Sequence, residues 1–72
     1  MGVGERIQLR RTALSMSGQE LADRASVSID TVRSIESGRV ANPGILTVAK
    51  LATVLRASLD DLAGHRPRKA RP

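Results

Sequence analysis

Hydrogen bonding, rather than covalent catalysis, is the chemistry that the reactive side chains of this chain offer. Twelve Lys and Arg, seven Asp and Glu, one histidine and no cysteine are spread over 72 residues. Without cysteine there is neither a thiolate nucleophile nor a thiolate zinc site, and His65 alone cannot anchor a metal. No glycine-rich run matches a nucleotide-binding fingerprint, and the carboxylates are accounted for by caps, pairs and exposed faces. An enzyme is therefore not expected, nor a cofactor or metal. The absence of Phe, Tyr and Trp also removes base stacking, carbohydrate stacking and aromatic cages. What remains is a cluster of donors and acceptors, Ser28, Asp30, Arg33 and Ser34, followed closely by Arg39 and Asn42. A guanidinium such as that of Arg33 presents a planar fork that can meet guanine O6 and N7 together.

Charge alone does not identify a partner. The formal net charge is +5, yet residues 1–63 carry eight cations against seven anions, and Arg66, Arg68, Lys69 and Arg71 supply the rest. The folded body is nearly neutral, so binding must be argued from where individual residues fall. Residues 64–72, with two prolines and no apolar periodicity, read as a disordered basic tail with nonspecific attraction for phosphate. Residues 1–63 form the single domain expected at this length. No run of Ala, Val, Ile, Leu or Met exceeds two residues, so no membrane span or signal-peptide core is expected, and the protein is expected in the cytoplasm, associated with the nucleoid.

The elements that position these side chains are helical. An aliphatic core drawn from 8 Leu, 6 Val, 4 Ile and 9 Ala favours helix, and the alternation of period two that a sheet needs is missing. Val3, Ile7 and Leu14 share a face of a first helix over about 4–14. Its middle core position falls on Arg10 or Arg11, so either an arginine stem snorkels there or its charge is paired inside. Ser17-Gly18-Gln19-Glu20 is a capping box opening a second helix over about 18–25, with Leu21, Ala22 and Ala25 inward. Ser28 is placed to cap a third helix over about 29–37, which buries Val32 and Ile35 and ends at Gly38. After the polar connection 39–44, Ile45, Val48, Ala49, Ala52 and Leu55 recur at helical spacing in a fourth helix over about 45–56. Ser58 to Asp61 form a second box, opening a fifth helix of one or two turns.

Two short helices separated by three residues, with small Ala22 in the first and aliphatic Val32 and Ile35 in the second, form the pattern of a helix-turn-helix. Over about residues 4–63 the chain resembles the XRE or lambda-repressor-like family of DNA-binding domains. The residues carrying the resemblance are Arg11, Ser17, Glu20-Leu21-Ala22, Val27-Ser28, Val32, Ile35-Glu36-Ser37-Gly38, Pro43, Leu51 to Leu55 and Ser58 to Leu62. The resemblance implies a compact all-α, five-helix domain with its helix-turn-helix at helices 2 and 3. It implies a homodimeric transcription regulator, a repressor, whose third helix enters the major groove of double-stranded DNA while the second crosses the backbone. It also pairs Arg11 with Glu36 as a structural bridge; the other reading has Arg11 on phosphate and Glu36 solvated. Three positions depart from the family: Gly18 stands where a glutamine usually opens helix 2, Ser26 where the turn has glycine, and Arg56 where glycine follows helix 4.

Base reading is then expected from Ser28, Ile29, Asp30, Arg33 and Ser34, with Arg33 on guanine and Ile29 against a thymine methyl. Asp30 can accept from cytosine N4 or orient an arginine, and the plainer reading pairs it with Arg33 on the surface. Phosphate contacts are expected from Ser17, Gly18, Gln19, Arg39, Asn42 and Gly44, where helix N-termini present free amides. A competing reading is a protein-binding module on the same fold, such as an antitoxin or adaptor, which the low charge of the body and Asp30 would suit.

Overall fold

A computed structural model of the chain describes residues 2–40 and 42–63. Ala41 and the basic tail 64–72, with His65 and the tail arginines, lie outside the described residues. Four helices carry the fold: α1 (Val3–Ala13), α2 (Gly18–Ala25), α3 (Ile29–Glu36) and α4 (Ile45–Leu55). No strand occurs among the described residues. The expectation of five helices is corrected to four, because the segment after Ser58 closes only a five-residue turn, Leu59–Ala63. So few residues cannot repay helix nucleation by themselves, and the turn is held by its cap and by the buried side chain of Leu62.

Serine hydroxyls start α2, α3 and the terminal turn as their spacing demands. Ser17 Oγ accepts from the Glu20 amide at 3.0 Å, and Ser28 Oγ from the Thr31 amide at 3.1 Å. At the terminal turn the box is reciprocal: Ser58 Oγ accepts from the Asp61 amide at 3.0 Å, and Asp61 Oδ2 from the Ser58 amide at 3.1 Å. The box expected at Ser17 is only half made, because Glu20 turns outward to Arg24 at 2.8 Å instead of reaching back. Gly38, at φ +85°, adopts the left-handed backbone just past α3. The two departures from family glycine also fall in left-handed backbone, Ser26 at φ 58° and Arg56 at φ 56°.

The core is aliphatic: Ile7, Met16, Leu21, Val32, Ile35, Leu51, Leu55 and Leu62 are buried together, with Ala22, Ala25 and Ala52 between them. Ala22 has no exposed surface, which suits a small residue at the α2 and α3 crossing. Ile45 does not join the core as the spacing suggests. It is 65% exposed in the first turn of α4, where nothing packs over it, while Leu51 takes the inward position. The neighbouring arginines Arg10 and Arg11 of α1 resolve differently. Arg10 caps α4, donating from Nε to Leu55 O at 2.9 Å and from Nη2 to Arg56 O at 3.1 Å. Arg11 takes the paired alternative.

Gly4 sets how closely α1 approaches α3. A Cβ on this residue would lie 1.9 Å from Ile35 O, so only glycine permits the present separation. Its spacing in the sequence carries no signal of this, since the partner is a backbone carbonyl distant in the chain.

Candidate nucleic-acid interface

Arg11 and Glu36 form a bridge between α1 and the end of α3. Arg11 Nε donates to Glu36 Oε2 at 2.7 Å and Nη2 to Oε1 at 2.9 Å, a two-pronged contact between residues 25 apart in sequence. Nη1 donates to Met16 O at 2.8 Å, so α1, the α1–α2 connection and the end of α3 are tied at one guanidinium. The side chains are 16% and 11% exposed. The hydrogen bond to Glu36, opposed by partial desolvation and assisted by its charge, raises the Arg11 pKa above its ordinary value. Arg11 is thus committed to Glu36.

Asp30, Arg33 and Ser37 are exposed on α3, while Ile29, Thr31 and Ser34 are half-buried. Residues 30, 33, 34 and 37 recur at three and four, so they line one stripe opposite Val32 and Ile35. The ion pairs among the described residues are Arg11 with Glu36 and Arg24 with Glu20; Asp30 and Arg33 do not pair. Among the described residues the fork of Arg33 is not tied to Asp30.

The other expected readers are engaged to different degrees. Ser28 caps α3 and shares a 2.8 Å hydrogen bond with Thr31 Oγ1. Ile29 packs against the core cluster, with its Cδ1 3.6 Å from where a Cβ on Gly18 would sit. Ser34 Oγ accepts from Arg39 Nη2. Gly38 reverses the chain, so Arg39 lies back against α3 instead of projecting from the connection.

At the start of α2, Ser17 serves as cap and Gln19 donates from Nε2 to Asp23 Oδ1 at 2.9 Å along its own helix. Backbone bonding resumes only at the Leu21 amide, which donates to Ser17 O, so the Gly18 and Gln19 amides precede the helical ladder. Gly44 is the N-cap of α4 and supplies no side chain, the first turn holds no acid, and the ladder begins at the Val48 amide. The α4 terminus therefore presents uncompensated donors beside the exposed Asn42. Of the expected sites, the structure brings Asp30, Arg33, Ser34 and Arg39 to one surface and leaves Gln19 turned along α2.

A helix-turn-helix with an exposed arginine on its second helix is the class that this geometry defines. The helix-turn-helix family matches residues 7–62, and the chain belongs to it, in its XRE-type branch. Among curated proteins none matches significantly. The fold is similar to the master regulator for biofilm formation SinR, solved in complex with DNA, at TM-score 0.81 and 35% identity over 83% of this chain and 95% of that one. The N-terminal DNA-binding domain of SinR from Bacillus subtilis matches at TM-score 0.83 and 31% identity, over 93% and 96% of the two chains. SinR in complex with SinI gives TM-score 0.81 and 35% identity, over 83% of this chain but 58% of that longer one.

Proposed function

We infer that this chain is a DNA-binding transcription regulator that reads double-stranded DNA with α3 in the major groove. The observation that carries the reading is Arg33, exposed on the outer stripe of α3 and in no ion pair among the described residues, in a fold that matches SinR solved on DNA. Arg33 on a guanine edge and Asp30 as an acceptor supply the direct reading, with Ser34 on the same stripe. Ile29 contributes only the part of its side chain left outside the core. Ser28 acts chiefly through its cap, holding the first turn of α3 in place. Phosphate anchoring falls to the amides of Gly18 and Gln19 beside Ser17, and to the α4 terminus at Asn42 and Gly44.

The action is repression by occupancy of an operator, as a homodimer. One α3 of eight residues reaches too few base pairs for useful selectivity, and two copies related by a twofold axis double the site. Val40, Leu46 and Leu59 are exposed apolar residues that can serve contacts between copies. The match to SinR bound to SinI favours a second reading in which a protein partner also docks on this fold. Salt separates the two modes, since binding to phosphate weakens steeply with ionic strength and an apolar interface hardly responds. Selection of preferred duplexes from a random pool, followed by affinity measurements on preferred and scrambled sequences, tests the reading. A chain that enriches no sequence would refute it.

A further inference from the structure

Arg39 is bound into the reading surface in a way that its place in the connection does not suggest. Its backbone amide donates to Ser37 Oγ at 3.3 Å, Ser37 Oγ donates to Ser34 O at 3.1 Å, and its Nη2 donates to Ser34 Oγ. With Gly38 in left-handed backbone, these contacts fold the chain back so that the guanidinium rests on α3. Ser34 uses one of five guanidinium N–H donors, and among the described residues the others have no acceptor, which suits a planar acceptor pair.

We propose that Arg39 is a specificity-determining residue that reads a guanine edge in the major groove, with Ser34 as the positioning residue that aims it. This rests on the DNA-binding reading above. Asp30 and Ser34 lie one helical turn apart and line the same shallow groove between α3 and the connection to α4. A carboxylate there repels phosphate, which disfavours backbone anchoring by a guanidinium held at Ser34, one turn from Asp30. The same carboxylate suits the neighbouring cytosine amine, so Asp30 as acceptor and Arg39 as donor match the edge of a G·C pair. The hydroxyl of Ser34 holds the guanidinium in advance and lowers the ordering cost of the contact.

The test uses the full chain, a duplex selected from a random pool, and single-base-pair variants of that duplex, over several salt concentrations. Arg39→Lys keeps the charge but loses the fork, and Ser34→Ala releases it; helical content and melting temperature verify that both variants fold. Each substitution is expected to reduce discrimination at one G·C pair by about tenfold or more while leaving the salt dependence unchanged. Ser34→Ala placed on Arg39→Ala should cost no further discrimination at that G·C pair, because there Ser34 acts through Arg39. Full discrimination by Arg39→Lys, or additive losses from Ser34→Ala and Arg39→Ala, would overturn the assignment while leaving the DNA-binding reading intact. A wild-type chain that selects no sequence would overturn both.

Discussion

Arg11 makes three hydrogen bonds that join α1, the α1–α2 connection and α3, so its removal strands the Glu36 carboxylate where water barely reaches it. Arg11→Ala, or Glu36→Ala, should cost about 3 to 5 kcal/mol of stability, with substantial recovery when both become apolar residues of similar volume. Urea unfolding of the two single variants and the double variant checks this, and a loss below about 1 kcal/mol would mark the bridge as superficial. Gly4→Ala should destabilise by at least about 1 to 3 kcal/mol, since α1 must lift from the Ile35 carbonyl to admit one methyl group. Arg33 behaves oppositely: it is exposed and in no ion pair among the described residues, so Arg33→Ala should leave the melting temperature unchanged. Its binding cost should be about 1 to 3 kcal/mol on the preferred duplex, with relaxed preference at one base pair. The Arg11 and Glu36 partnership was legible through the family resemblance, because both residue types stand at matching positions. Gly4 was not, since glycine in a helix start announces nothing about which backbone will approach it. The position of Arg39 in the connection suggests phosphate; its contact with Ser34 depends on a chain reversal that Gly38 permits but does not specify.

Helix positions followed from serine caps and apolar spacing to within one or two residues, because both signals are local. The errors arise where tertiary packing decides. The fourth-helix spacing puts Ile45 on the inner face, yet at the first turn no neighbouring element covers that face, and Leu51 is buried instead. The fifth helix was expected from a capping box that is indeed made, but a box starts a helix without sustaining it. Ser26 and Arg56 hold left-handed backbone that glycine occupies without steric cost. Ser26→Gly and Arg56→Gly should therefore each stabilise by about 0.5 to 1 kcal/mol, after the greater unfolded-state entropy of glycine is deducted, and the gains should add. Thermal unfolding measures both. At the terminal turn, hydrogen bonds from the Ser58 backbone and side chain, helped by Arg10 and Arg6, hold the Asp61 carboxyl below its ordinary value. A depressed folded-state pKa means that the contribution is complete above the unfolded value, about 3.9, and fades as pH falls through the lower folded value. The stability gap between wild type and Asp61→Asn should be constant above about pH 5 and close in more acid solution.

At the scale of the whole molecule, two copies on a twofold axis should place their α3 helices in successive major grooves, with half-sites about 34 Å apart. Sedimentation on saturated operator should show two chains per duplex, and a single chain at saturation would remove the dimer. The central claim is that this small, nearly neutral body selects a DNA sequence through α3. Its most direct measurement is the affinity for a duplex selected from a random pool against the same bases scrambled, for wild type and Arg33→Ala, across a salt series. Wild type should favour the selected duplex by about a thousandfold or more, with an affinity that falls steeply as salt rises. Arg33→Ala should lose affinity for the selected duplex well beyond its loss on the scrambled one. Equal affinity of wild type for both duplexes, or equal losses on both when Arg33 is removed, would contradict it.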